Sequence, residues 1–209
     1  MKAKFLILLV FPLLSSCKEA VIVPDVEPTE VFPLKMGNRW DFTRTYWDMS
    51  GNPTQVAAEY LRVFADTVLF GQRGSIVWLY AADQFFTNSY EGVTTRWIAI
   101  DDQAHVIYKY PARVGDTYGY PIPTFGQVLF MDDTSWIATV IAVDTLITVP
   151  AGSFHCIAYR VSPDVYWFYR LYFISVGDGW IKEETWARDR PTNSMVRTNS
   201  LELTNLTKK

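Results

Sequence analysis

Two stretches of the chain match each other without a gap at one offset of 78 residues. Phe32-Pro33-Leu34-Lys35-Met36-Gly37-Asn38-Arg39-Trp40-Asp41-Phe42 aligns with Tyr110-Pro111-Ala112-Arg113-Val114-Gly115-Asp116-Thr117-Tyr118-Gly119-Tyr120. The proline, a basic residue, the glycine, an Asn/Asp position and three aromatic positions coincide. At the same offset Asp66-Thr67-Val68-Leu69 meets Asp144-Thr145-Leu146-Ile147, and Gly74-Ser75-Ile76 meets Gly152-Ser153-Phe154. A fixed period of self-similarity means one supersecondary unit used twice. Residues 32–109 form the first β repeat and 110–188 the second. Residues 189–209 add a C-terminal loop and a closing strand, so 32–209 reads as one compact domain.

The signals inside each repeat are those of strands. Arg39 to Trp47 alternates and is rich in aromatics and threonine. Val56 to Phe70 and Ser75 to Ala82 flank a glycine-bounded break, and Thr94 to Ile100 and His105 to Tyr110 flank Asp101-Asp102-Gln103. The second half repeats this grammar: Trp136 to Val149 turns at Pro150-Ala151-Gly152 into Ser153 to Val161. Val165 to Val176 and Trp180 to Trp186 flank Gly177-Asp178-Gly179, and Met195 to Leu206 follows. Helical periodicity is confined to a turn or two at Gln55 to Leu61. The expectation is all-β: about eleven antiparallel strands in one curved sheet, a half-barrel or a two-sheet sandwich.

Composition narrows the class. With 49% hydrophobic and 20% charged residues the chain has a core to bury, which disorder would not allow. Two cysteines are too few for a disulfide scaffold. A net charge of −3 without a basic block excludes nucleic acid as a partner. The aromatic count is high, at 8 Trp, 12 Tyr and 13 Phe.

The first residues are an address. Met1-Lys2-Ala3-Lys4 precedes an apolar run from Phe5 to Leu14, too short to span a bilayer, and Ser15-Ser16-Cys17 follows. Leu14-Ser15-Ser16-Cys17 resembles the bacterial lipobox. That resemblance implies a signal peptide over 1–16 and a lipidated Cys17 at the mature N-terminus, anchored by several acyl chains. Losing Lys2 and Lys4 leaves 17 basic and 22 acidic residues, a net charge of −5. Residues 17–31, with Pro24, Pro28 and several acids, read as a flexible tether.

Chemistry is sparse. Nucleophilic catalysis wants a base beside a nucleophile, and only His105 and His155 exist. Ser153 shares a strand face with His155, but without the Gly-x-Ser-x-Gly elbow. Cys156 lies in an apolar strand and reads as a small buried hydrophobe. Neither a zinc set nor a calcium loop is present. The carboxylate pairs Asp101-Asp102, Asp132-Asp133 and Glu183-Glu184 point to opposite sides when extended, unlike a glycosidase pair. No catalytic residue, cofactor or metal is therefore expected. Thr67 and Thr145 follow aspartates and precede aliphatics, a pattern that resembles the O-glycosylation acceptor of exported Bacteroidetes proteins.

Two phrases, Pro33-Leu34-Lys35-Met36-Gly37-Asn38-Arg39-Trp40 and Val149-Pro150-Ala151-Gly152-Ser153-Phe154, resemble motifs of Bacteroidetes-type lipoproteins and related β-rich periplasmic proteins. The resemblance implies a duplicated β fold and no mechanism. The reading that follows is a non-enzymatic module of the cell envelope, lipid-anchored, at the outer membrane. It binds or assembles with an envelope protein, a glycan or a lipid. A carrier with a hydrophobic cavity and a carboxylate hydrolase are the alternatives. Candidate ligand contacts are Tyr166, Trp167, Phe168, Tyr169, Tyr172 and Phe173, because such a run cannot face one core.

Overall fold

A computed structural model describes residues 30–69, 71–79, 82–89, 92–97, 105–120, 136–163 and 167–209. Twelve strands are β1 (Arg39–Trp47), β2 (Pro53–Leu69), β3 (Gln72–Leu79), β4 (Ala82–Ser89), β5 (Gly92–Trp97), β6 (His105–Lys109), β7 (Thr117–Gly119), β8 (Trp136–Val149), β9 (Gly152–Pro163), β10 (Phe168–Ser175), β11 (Gly179–Arg188) and β12 (Met195–Thr207). They form one antiparallel sheet in the order β6-β5-β4-β3-β2-β1-β12-β11-β10-β9-β8-β7. Two six-stranded meanders thus lie side by side, joined where β1 pairs with β12. The sandwich alternative gives way to a single sheet curled into a nearly closed barrel.

Two strands lie outside the ranges read from the sequence: β4, where Asp83, Gln84, Thr87 and Asn88 break the apolar pattern, and β7, which is only three residues long. The helical turn expected at Gln55 to Leu61 is extended instead and belongs to β2, paired residue by residue with β1. Inter-strand pairing outweighs the local preference of Ala57-Ala58-Glu59 for helix.

The terminal strands β6 and β7 are bridged by side chains. The backbone N–H of Lys109 donates to the Tyr118 hydroxyl, which donates to the Ile107 carbonyl at 3.0 Å, and the Tyr159 hydroxyl donates to the Lys109 carbonyl at 2.7 Å. Lys109 also pairs with Asp116 at 3.2 Å.

A barrel of this many strands has room inside, and the protein fills it with large side chains. Trp40, Phe42, Leu61, Val63, Val77, Phe86, Tyr108, Tyr159, Trp180 and Leu203 are all buried in one cluster. The near end, where the described chain begins, is plugged by Val31 and Phe32. Asn88 grips the Phe32 backbone on both sides, accepting from its N–H and donating to its carbonyl. Val31, inside the span read as tether, is thus fully buried. The far end carries the Asp48–Asn52 turn and the loop after β11.

The two halves share a local device. Asn38 N–H donates to the Lys35 carbonyl and Asp116 N–H to that of Arg113, closing equivalent turns over Gly37 (φ 93°) and Gly115 (φ 92°). Each glycine then donates to a neighbouring strand, Gly37 to Val63 and Gly115 to Val140. The left-handed backbone explains the glycine in both turns. The hairpins do not keep the offset of 78: Leu69 pairs with Gln72 and Val149 with Gly152, so equivalent turn residues are 80 apart.

Candidate functional site

The interior changes character between its two ends. Near the plug it is aromatic and dry. Further along, alternation in β1 continues inward from Trp40 and Phe42 to Arg44, a cation on the core register. Its guanidinium holds Glu59 of β2 in a bidentate pair, at 2.6 and 3.1 Å, and donates to Asn199 of β12 at 3.0 Å. Glu183 of β11 stands 4.0 Å away on its other side. Tyr172 of β10, cross-strand from Glu183, packs against Tyr108 and stacks on Tyr120. Burial pushes the hydroxyls of Tyr108 and Tyr120 well above the ordinary tyrosine range, and burial with the Glu183 charge raises Tyr172. These phenols stay protonated donors.

The predicted aromatic run is divided by the pleat. Phe168, Arg170 and Tyr172 share one face of β10, and Tyr169, Leu171 and Phe173 the other. Phe168 packs edge-on against Trp136, and Tyr172 belongs to the core. Phe173 is half-buried against that core. Trp167 precedes the strand and is 57% exposed. Tyr166 lies outside the described residues, as do Cys17, the signal segment, Asp101-Asp102 and Asp132-Asp133. Glu183 and Glu184 face opposite sides, Glu183 buried inside and Glu184 in the outer network.

Outside, a band crosses five neighbouring strands near the far end. Arg160 of β9 lies over the Tyr169 ring at 4.4 Å, and Tyr169 lies nearly parallel to Trp186 of β11, with centroids 6.1 Å apart. The Trp186 indole N–H donates to Glu184 at 3.1 Å. Glu184 accepts from Arg197 of β12 at 3.3 Å, and Arg197 covers the Trp47 ring of β1 at 4.2 Å. Partial burial works against the Glu184 charge, yet bonds from Lys182 and Trp186 and the charge of Arg197 hold its carboxyl below the usual range. Cross-strand neighbours at this spacing are in natural contact. Sequence alternation marks Tyr169, whereas Trp186 enters the sequence reading only as the end of a strand. Their alignment with Trp47 depends on the β1–β12 pairing, which no local pattern encodes.

The remaining candidates stay apart. His155 Nδ1 sits 2.6 Å from Asp144 on an exposed hairpin, and Ser153 exchanges its hydrogen bond with Thr148. Asp144 has a left-handed backbone (φ 60°). Thr145 beside it is half-buried, as is Thr67 on β2. Among the described residues no group of three His, Cys, Asp or Glu side chains could hold a metal. Burial pushes the Cys156 thiol up to about 12. A thiol alkylates as its thiolate. At pH 8 the native protein should therefore resist iodoacetamide at Cys156 and label there only in denaturant; rapid labelling of the folded form would contradict this.

No family model matches the chain, and no curated protein matches it. Two solved structures are similar to it. A protein of Parabacteroides distasonis ATCC 8503 described as a lipoprotein is 16% identical, with a TM-score of 0.47, covering 87% of this chain and 100% of its own. A protein of Bacteroides fragilis NCTC 9343 described as exported, with a YmcC-like fold, is 12% identical, with a TM-score of 0.46, covering 85% of this chain and 98% of its own.

Proposed function

We propose that this chain is a lipid-anchored, non-enzymatic binding module of the cell envelope, and that its outer aromatic–arginine band takes an acidic glycan. The band carries the reading. Tyr169, Trp186 and Trp47 are half-exposed rings interleaved with Arg160 and Arg197, an exposed aromatic and cationic patch of the kind that marks binding sites. Arg160 and Arg188 are exposed on the same side, and neither has an acidic partner among the described residues. They are available to carboxylates or sulfates of a glycan. The carrier alternative fits less well, because a greasy ligand needs an apolar cavity. Here the described core is packed and then turns charged at Arg44, Glu59 and Glu183.

Titration with an acidic oligosaccharide such as oligogalacturonate, against a neutral cello-oligosaccharide, tests the band through tryptophan fluorescence. The acidic probe should bind, and Trp186→Ala or Arg160→Ala should weaken binding about tenfold, the worth of one lost stacking or charged contact. Absence of binding to the acidic probe, or binding indifferent to both substitutions, would overturn the reading. The anchor is tested separately: Cys17→Ala should move the chain from the membrane fraction to the soluble fraction, and retention in the membrane would reject lipidation.

A further inference from the structure

A second site of different chemistry lies at the near end. A cavity of about 360 Å³ opens beside Glu30, between the Leu34-Lys35 approach to β1 and the β2–β3 hairpin. Its wall carries both signs of charge, Lys35 and Arg73 against Glu30 and Asp66. Neither Lys35, Arg73 nor Glu30 is engaged in an ion pair or hydrogen bond among the described residues. Opposite charges that line one cavity without pairing are available to a ligand bearing both.

The wall is fixed in place. Asn88, which borders the cavity, is locked to the backbone of Phe32. Gly74 is pressed so closely on β4 that a Cβ would overlap the Phe86 carbonyl oxygen and the Thr87 hydroxyl. Ser75 is buried, and its Oγ stands 2.7 Å from the Leu34 carbonyl and 2.8 Å from Asp66 Oδ1. A hydroxyl has one proton, so it satisfies one of these acceptors at a time. Asp66 keeps acceptor capacity for a donor from outside.

We propose that this cavity binds a small zwitterion of the phosphoethanolamine type. Two uncompensated cations match a phosphate, with Arg73 offering the bidentate fork. The two carboxylates match a primary ammonium, whose three N–H donors a quaternary ammonium lacks. The volume lies within the range of small-molecule sites. The same chemistry is offered by the free molecule and by a phospholipid headgroup. Glu30 stands thirteen positions after Cys17, a reach of at most about 45 Å when extended. An anchored chain therefore carries this end of the barrel within reach of the bilayer. The headgroup source rests on the anchoring reading; the site itself does not.

Calorimetry on the unlipidated Cys17→Ala chain tests the site. O-phosphoethanolamine should bind, and O-phosphocholine should bind about tenfold more weakly, the worth of charged hydrogen bonds. Arg73→Ala and Asp66→Asn should each weaken phosphoethanolamine about tenfold with unchanged melting curves, while Trp186→Ala leaves it untouched. No binding, or equally weak binding of phosphoethanolamine, phosphocholine and inorganic phosphate that ignores both substitutions, would overturn the proposal. Co-sedimentation with phosphatidylethanolamine vesicles but not phosphatidylcholine vesicles would assign the headgroup as ligand. Binding of the free molecule without co-sedimentation would assign the soluble zwitterion.

Discussion

Arg44→Met should destabilise the protein by about 3–5 kcal/mol, the usual cost of removing one partner from a buried ion pair. The geometry puts it in that class. The Arg44 side chain is 7% exposed and Glu183 3% exposed, and the cation lies between Glu183 and Glu59. Methionine keeps much of the stem and loses every hydrogen bond. Glu59 is less enclosed and can turn toward water, whereas Glu183 is buried beside Tyr172 and Leu201. Adding Glu183→Gln to Arg44→Met should therefore recover part of the loss, since it removes the stranded charge without changing shape. Urea unfolding followed by tryptophan fluorescence measures both. A single-variant loss below about 1 kcal/mol would show that water already compensates these groups.

Arg44 is open to view in the sequence. It stands two residues after Phe42 and four after Trp40, on the inward parity of the clearest strand in the chain. A cation there demands buried partners. Its partners were not legible. Glu59 is 15 residues away through a hairpin, but Glu183 and Asn199 come from strands brought alongside only when β12 closes on β1. The same holds for the outer band, where Trp47 meets Arg197 across that junction. Strand identity was legible because alternation is local. β4 escaped because its polar residues hide a strand that neighbours cover on both edges. The repeated Lys/Arg-x-Gly-Asn/Asp turn was legible as chemistry, since only glycine suits its backbone, while its docking onto β2 and β8 was not.

The plug should respond as strongly as the ion pair. Phe32→Ala should cost about 3–5 kcal/mol, the range for truncating a buried phenylalanine. Phe32 is fully buried, lies 5.4 Å from the Trp40 ring and 6.1 Å edge-on from Phe86, and stacks on Tyr108 at 6.2 Å. Its other neighbour is Gly179, where a Cβ would approach the ring to 3.1 Å. That contact supplies the decisive control. Gly179→Ala alone has two penalties, contact with Phe32 and a left-handed backbone at φ 82°. In the Phe32→Ala background the first vanishes and the second remains. The double variant should therefore be more stable than the sum of the single losses predicts, by about 1 kcal/mol or more, as expected for residues in direct contact. Simple additivity in denaturant unfolding would mean that the ring does not sit against Gly179. Hydrogen exchange should localise the first effect of Phe32→Ala to the Asn88 contact and the turn at Asp178, whose carbonyl accepts the Trp40 indole N–H. The far-end hairpin between β1 and β2 should keep its protection unless the barrel unfolds as one unit.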